Sequence, residues 1–225
     1  MWSEPLTELL PIAVAIAANP PAIIAVVLML SSDESRRSAT WFVLGWLSGL
    51  LVVGVGLLLI GDAVSTEGGP SLLGAGARAL IGVALVGLAL RKWFGGSPAG
   101  DAGEMPAWMQ TVTGLSPGRS FGFAALFAGL NPKTLALNVA GAIVIYETIA
   151  GRTGRSVALV GFVVVSSLTL IAPLAYGLAA PRHSQGVLGR VKDWLLSNNR
   201  PITAGVIGVL GATVTFSAVR DLLAM

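Results

Sequence analysis

Long apolar stretches recur along the chain, separated by charged residues and by Gly/Pro clusters, and they predict six membrane-spanning helices. The predicted spans run from about Leu9 to Leu30, Thr40 to Gly61, Leu72 to Leu90, Phe121 to Tyr146, Val157 to Ala179 and Ile202 to Val219. Each approaches or exceeds the roughly 20 residues that cross about 30 Å of hydrocarbon. The third must include Arg78, because Ala79 to Leu90 alone is too short to cross; that arginine is expected to snorkel outward. The connector from Lys92 to Arg119 is rich in Gly and Pro, and its stretch Pro106–Ala107–Trp108–Met109 suits the membrane surface. A second connector, Gly186 to Arg200, puts Val187, Val191, Trp194 and Leu195 on one helical face, which predicts a short interfacial helix.

Composition narrows the class. The chain has 225 residues, of which 54% are hydrophobic and 11% charged, with a mean hydropathy of +0.81. Globular chains are about a quarter charged, so the expected fold is an all-α integral membrane protein made of a single transmembrane domain over residues 1–225. The absence of cysteine excludes disulfides and thiolate metal sites, and the single histidine, His183, adds no metal chemistry. No cofactor and no metal are expected. The pI of 9.8 reflects basic residues at span ends, so no nucleic-acid partner follows from it. Nine of the fourteen Lys and Arg, from Arg36 and Arg37 to Arg200, fall in alternate loops, against four in the others. By the positive-inside rule the richer set is cytoplasmic and both termini are extracytoplasmic. No Lys or Arg precedes Arg36, so the first apolar run reads as a retained span and not a cleaved leader.

The pairs Asn19–Pro20 and Asn131–Pro132 lie midway along spans one and four, 112 residues apart. Three spans per half is an odd number, so the second half is expected to be inverted relative to the first, as in many secondary transporters. This divides the domain into repeat 1 (about 6–92), a cytoplasmic connector (about 93–118) and repeat 2 (about 119–225), with the first and fourth helices broken.

Proline inside a helix removes a backbone hydrogen bond and clashes with the carbonyl four residues earlier. In lipid the freed groups must face neighbouring helices or a wet cavity. Asn19, Pro20, Pro21, Asn131 and Pro132 are therefore candidates to line a ligand path; the alternative is a structural kink in which each Asn bonds its own backbone. Lys133 is the only ionisable residue near the centre of any span, where burial costs roughly 2.5–3.5 kcal/mol. Two readings stand: an amine that receives an anionic group or exchanges a proton, or a lysine that caps carbonyls released by Pro132. Thr134 and Asn138 continue a polar stripe with Asn131 at spacings of three and seven, and Ser166 and Ser167 of span five could approach it.

All eleven acidic residues fall at or beyond span ends. A divalent-cation path or carboxylate proton relay therefore lacks its groups. No lysine follows a glycine, so a Walker A loop is absent, and transport would draw on a gradient or a partner. With no intramembrane acid, thiol or histidine, an enzyme is not expected. Trp41, Trp93, Trp108 and Trp194 fit an aromatic belt. Gly45 and Gly49, like Gly205, Gly208 and Gly211, form small faces for close packing within one subunit or between two, so a homodimer is compatible with them.

Taken together, the run Asn19–Pro20–Pro21–Ala22–Ile23–Ile24, the Gly45–Trp46 pair, Pro106–Ala107–Trp108–Met109 with Ser116–Pro117–Gly118–Arg119, and above all Gly129–Leu130–Asn131–Pro132–Lys133 resemble the GAP or Sap family of the lysine exporter superfamily. That family is named for addressing glycolipids, including sulfolipids, to the surface of mycobacteria and their relatives, and the resemblance runs from about Ile12 to Leu222. It implies a six-helix transporter of two inverted three-helix halves, with the fourth-span signature on Asn131, Pro132 and Lys133 and the first-span signature on Asn19 and Pro20. Amino-acid exporters of the superfamily usually show Pro-Gly-Pro in the first span; Asn-Pro-Pro here weighs against that cargo. The superfamily's thiol-electron carriers need intramembrane cysteines and its metal exporters intramembrane acids, and this sequence has neither. The expectation is a bacterial plasma-membrane exporter of a lipid or glycolipid, in contact with membrane lipids. Two alternatives stand beside it: an exporter of a small amphiphile, amino acid or organic ion, and a non-transporting scaffold that docks export-machine partners through its basic connectors.

Overall fold

The computed structural model describes residues 3–31, 35–64, 112 and 114–198. The predicted third and sixth spans lie outside the described residues, as do Arg78, Trp93, Trp108, the Pro106–Met109 stretch and Gly205, Gly208 and Gly211. Among the described residues the chain is all helical, with eight helices: α1 (Ser3–Ala17), α2 (Pro20–Leu30), α3 (Arg36–Val64), α4 (Pro117–Leu130), α5 (Pro132–Thr148), α6 (Arg152–Ser166), α7 (Leu168–Ala179) and α8 (Pro181–Ser197).

Spans one, two, four and five of the sequence reading are found here in two forms. The 29 residues of α3 rise about 44 Å, and it alone among the described helices is long and apolar enough to cross a bilayer unbroken. The others are bent pairs: α1 with α2 at 54°, α4 with α5 at 65°, and α6 with α7 at 63°. Breaks at Asn19 and Asn131 match the expectation. The break at Ser167 does not; span five reads from its sequence as one continuous helix.

Proline sets several of these boundaries. Helices α2, α4, α5 and α8 each begin on a proline, where the missing N–H would be unpaired in any case and the fixed φ suits the first turn. The turn between α5 and α6 closes at Gly151, whose φ of 80° is left-handed and carries no penalty without a Cβ.

Among the described helices, α3 and α4 share the most extensive contact. A methyl group at Gly45 would run into the backbone of Phe121, and one at Gly49 into that of Ala125, so the two glycines one turn apart let the backbones touch. Rings fill the seam: Trp46 packs on Phe127 at 5.9 Å and Phe42 on Phe123 at 6.3 Å between centroids. Helix α1 lies against α5 and α6, and α2 against α3, α7 and α8. Apolar side chains such as Val52, Leu126 and Leu130 remain exposed, as a hydrocarbon-facing surface requires.

Helix α8 corrects one detail of the interfacial-helix reading. Val187, Val191 and Trp194 are exposed, as expected, but Leu195 is buried and packs with Ile24 of α2, while Leu188 is buried too. The apolar stripe is divided: one edge docks on the bundle and the other faces outward. At one end of the bundle Arg155 of α6 holds Asp62 of α3 at 2.8 Å and the carbonyls of Tyr146 and Ile149 at 3.1 and 3.0 Å, with its guanidinium 3.8 Å over the Tyr146 ring.

Candidate functional site

The three helix breaks meet. Pro20 and Pro21 cannot donate to the carbonyls of Ile16 and Ala17, four residues earlier. Beyond them, the N–H groups of Ala22 and Ile23 both turn to the Asn19 carbonyl, so Ala18 also loses its helical donor. Two side chains from the second half of the chain take up these acceptors. Lys133 Nζ donates to the Ala18 carbonyl at 2.8 Å, and Thr169 Oγ1 donates to the Ala17 carbonyl at 2.7 Å. One donor stands at the start of α5 and the other at the start of α7, so the ends of α1, α5 and α7 converge.

The electrostatics of this junction are asymmetric. The C-terminus of α1 carries partial negative charge, and the Lys133 ammonium resting on its last carbonyls is a favourable pairing. The N-termini of α5 and α7 carry partial positive charge toward the same region. An ammonium has three donors, and the Ala18 carbonyl takes one, which leaves two for a ligand.

The predicted site residues fare differently. Asn131 is the N-cap of α5, its Oδ1 accepting from the backbone N–H of Lys133 at 3.1 Å, so this amide is engaged by its own backbone. Pro132 occupies the first helical position. Lys133 does cap a carbonyl, but one at the α1 break, not one released by Pro132. Asn19 is buried and its side chain makes no cap on α2; Pro20 is buried and Pro21 half-buried. Thr134 and Asn138 are both buried on one face of α5, and Asn138 Nδ2 donates to the Leu50 carbonyl of α3 at 3.0 Å. Asn138 thus lies toward α3 while Lys133 reaches α1, so these two members of the polar stripe turn to different neighbours.

Several buried polar side-chain atoms of α5, α6 and the Ser167 break have no hydrogen-bond partner: Thr134 Oγ1, Asn138 Oδ1, Ser166 Oγ and Ser167 Oγ. An unsatisfied buried polar group costs roughly 1–3 kcal/mol, so the set is hydrogen-bonding capacity held ready inside an apolar bundle. Helices α5 and α6, joined by a short turn, touch where Gly141 meets Phe162, so Asn138, three residues back, lies toward the Ser166 end of α6.

Thr169 and the Ser167 break were not anticipated from the sequence. The signal available was the run Ser166–Ser167–Leu168–Thr169 in an otherwise apolar span, followed by Pro173 inside α7. Hydroxyl side chains compete with the helix backbone for its own groups. At the break the Ser167 N–H turns back to Val164 at 3.1 Å, three residues away instead of four, although the Ser166 and Ser167 hydroxyls bond no backbone group.

Among the described residues no group of His, Cys, Asp and Glu could hold a metal ion. The groups on offer are an ammonium, hydroxyls and an amide oxygen in an apolar setting. The family model described as Sap, sulfolipid-1-addressing protein, matches residues 9–220. No curated protein and no solved structure matches the chain.

Proposed function

The chain belongs to the Sap, sulfolipid-1-addressing protein, family, and on that premise we propose that this membrane protein is a transporter that exports a lipid or glycolipid. In this reading the transmembrane domain has six spans in two inverted halves, sits in a bacterial plasma membrane with both termini outside, and performs no covalent chemistry. The broken helices form the path, and Lys133 receives the anionic part of the head group, aided by the hydroxyls of Thr134, Ser166 and Ser167.

One observation carries this reading: the ammonium of Lys133 reaches across to the interrupted first helix at 2.8 Å. A contact between the two halves at their breaks is where a rocking motion of one half against the other would be felt by a bound ligand. Charge attraction strengthens as water is excluded, and Ala17, Ala18, Lys133 and Thr169 are half-buried among apolar helices.

Translocation of a fluorescent sulfated glycolipid by the purified chain in vesicles tests the proposal. Lys133→Gln keeps a neutral donor for the Ala18 carbonyl and removes the charge; it is expected to reduce translocation at least tenfold while insertion and thermal unfolding stay unchanged. Normal translocation by this variant would make the lysine a cap and nothing more. Flux of amino acids instead of lipid would favour the small-amphiphile reading, and a tight co-purifying complex without any flux would favour the scaffold.

A further inference from the structure

A groove of about 220 Å³ runs between α1 and α6, separate from the polar junction. Almost no polar atom lines it. Small side chains create it: Ala13 of α1 faces Ala158 and Gly161 of α6, and at Gly161 a Cβ would meet nothing within 4 Å. Leu6, Leu10 and Val157 stand exposed along its edges. Pro5 to Ala13 spans about 12 Å of helix.

The groove ends where the junction begins. Ala13 is one turn before Ala17, whose carbonyl holds Thr169, and Val165 at the same end of the groove precedes Ser166. The carbon-lined groove thus ends about one helical turn from the Ala17 and Ala18 carbonyls that Thr169 and Lys133 hold. That continuity matches one kind of molecule, with a hydrocarbon chain and a polar head joined end to end.

We infer that the α1–α6 groove is a tail subsite that holds one acyl chain of a membrane lipid whose head group lies at the Lys133 junction. The inference rests on the lipid reading above and adds to it the place and number of chains. Size supports a single chain. An apolar cavity of about 150 Å³ takes one benzene and drug-sized ligands need about 300 Å³ or more, so the groove fits a stretch of methylenes, and its lack of polar lining disfavours a sugar. Chain length then matters to recognition, since each buried methylene contributes about 0.8 kcal/mol until the groove is full.

Gly161 provides the test, because a side chain there projects into open space and removes a glycine from a helix. The full chain is placed in phosphatidylcholine vesicles doped with phosphatidylglycerol that carries a photoactivatable diazirine in its acyl chain, and crosslinked residues are mapped by mass spectrometry. Wild type and Gly161→Ala are expected to label Leu6, Leu10 and Val157 several-fold above Val52 and Leu59, which face outward from α3. Gly161→Phe, or Val157→Trp should the first variant misfold, is expected to reduce groove labelling about tenfold and leave Val52 and Leu59 unchanged. Groove labelling equal to that of α3, or unaffected by a correctly folded blocking variant, would overturn the inference. So would crosslinks between two copies of the chain through Leu6 or Val157, which would mark a subunit interface. Lys133→Gln separates the two readings: it is expected to abolish the preference for phosphatidylglycerol over a phosphatidylcholine probe of the same tail, with groove labelling retained. Groove labelling that is blocked at Gly161 but never prefers the anionic probe would remove the head-group reading and keep the tail subsite.

Discussion

Pro20 and Pro21 deprive Ile16 and Ala17 of helical donors, and the side chains that respond sit more than a hundred residues away in sequence. Thr169 has the simpler role of the two. Its hydroxyl satisfies a half-buried carbonyl, so Thr169→Val, which has the same shape without the donor, is expected to destabilise the protein by about 1 kcal/mol. Thermal unfolding in detergent should show this loss, and Thr169→Ser should restore most of it. At this scale the sequence was half legible. Proline chemistry is local, so the freed carbonyls could be anticipated, and so could Asn131 as a residue that bonds its own backbone. Which donors would reach those carbonyls depends on distances that spacing along the chain does not encode.

Among the elements, α3 and α4 show how glycine position decides packing. Gly49 touches the backbone of Ala125, so no rotamer change can make room for a larger residue. Gly49→Ala is expected to cost about 1–3 kcal/mol through displaced helices. Gly56, on the same helix, has open space where a methyl group would project, so Gly56→Ala is expected to be neutral or to stabilise by about 0.5–1 kcal/mol. Comparing the two melting temperatures checks both the helix-propensity effect and the contact. The small-residue face of Gly45 and Gly49 was readable from spacing alone. The Ser167 break was not, because serines in a membrane helix usually bond the preceding turn; here the start of α7 is instead drawn to the carbonyls of α1.

Across the molecule, polar contacts that join the first half of the chain to the second, besides the α3–α4 seam, include the Lys133 and Thr169 bonds at the breaks, the Asn138–Leu50 bond, and the Asp62–Arg155 pair at one end of the bundle. Arg152 adds a longer contact to Asp62 at 3.3 Å, but its side chain is 88% exposed, where an ion pair contributes little. Arg155 is mostly buried and also binds two carbonyls. Asp62→Asn is therefore expected to lower stability by about 1 kcal/mol, and Arg155→Ala by about 2–3 kcal/mol because carbonyls lose their donor as well. A double-mutant cycle on Asp62 and Arg155 isolates the pair; a coupling indistinguishable from zero would mean that the carbonyl bonds alone hold this end.

Read from the residues alone, the chain is a membrane protein with a helix break at each Asn-Pro pair and one buried lysine. Hydrophobic run length, the missing proline N–H and the cost of an intramembrane charge are properties of local sequence and operate before any tertiary contact forms. Folding decided what those features meet. It drew Lys133 to Ala18, divided the polar stripe of α5 between two neighbours, bent span five at Ser167, turned Leu195 inward and left a groove beside Gly161. Each of these depends on how helices distant in sequence approach one another, and that approach is fixed by the summed packing of many side chains.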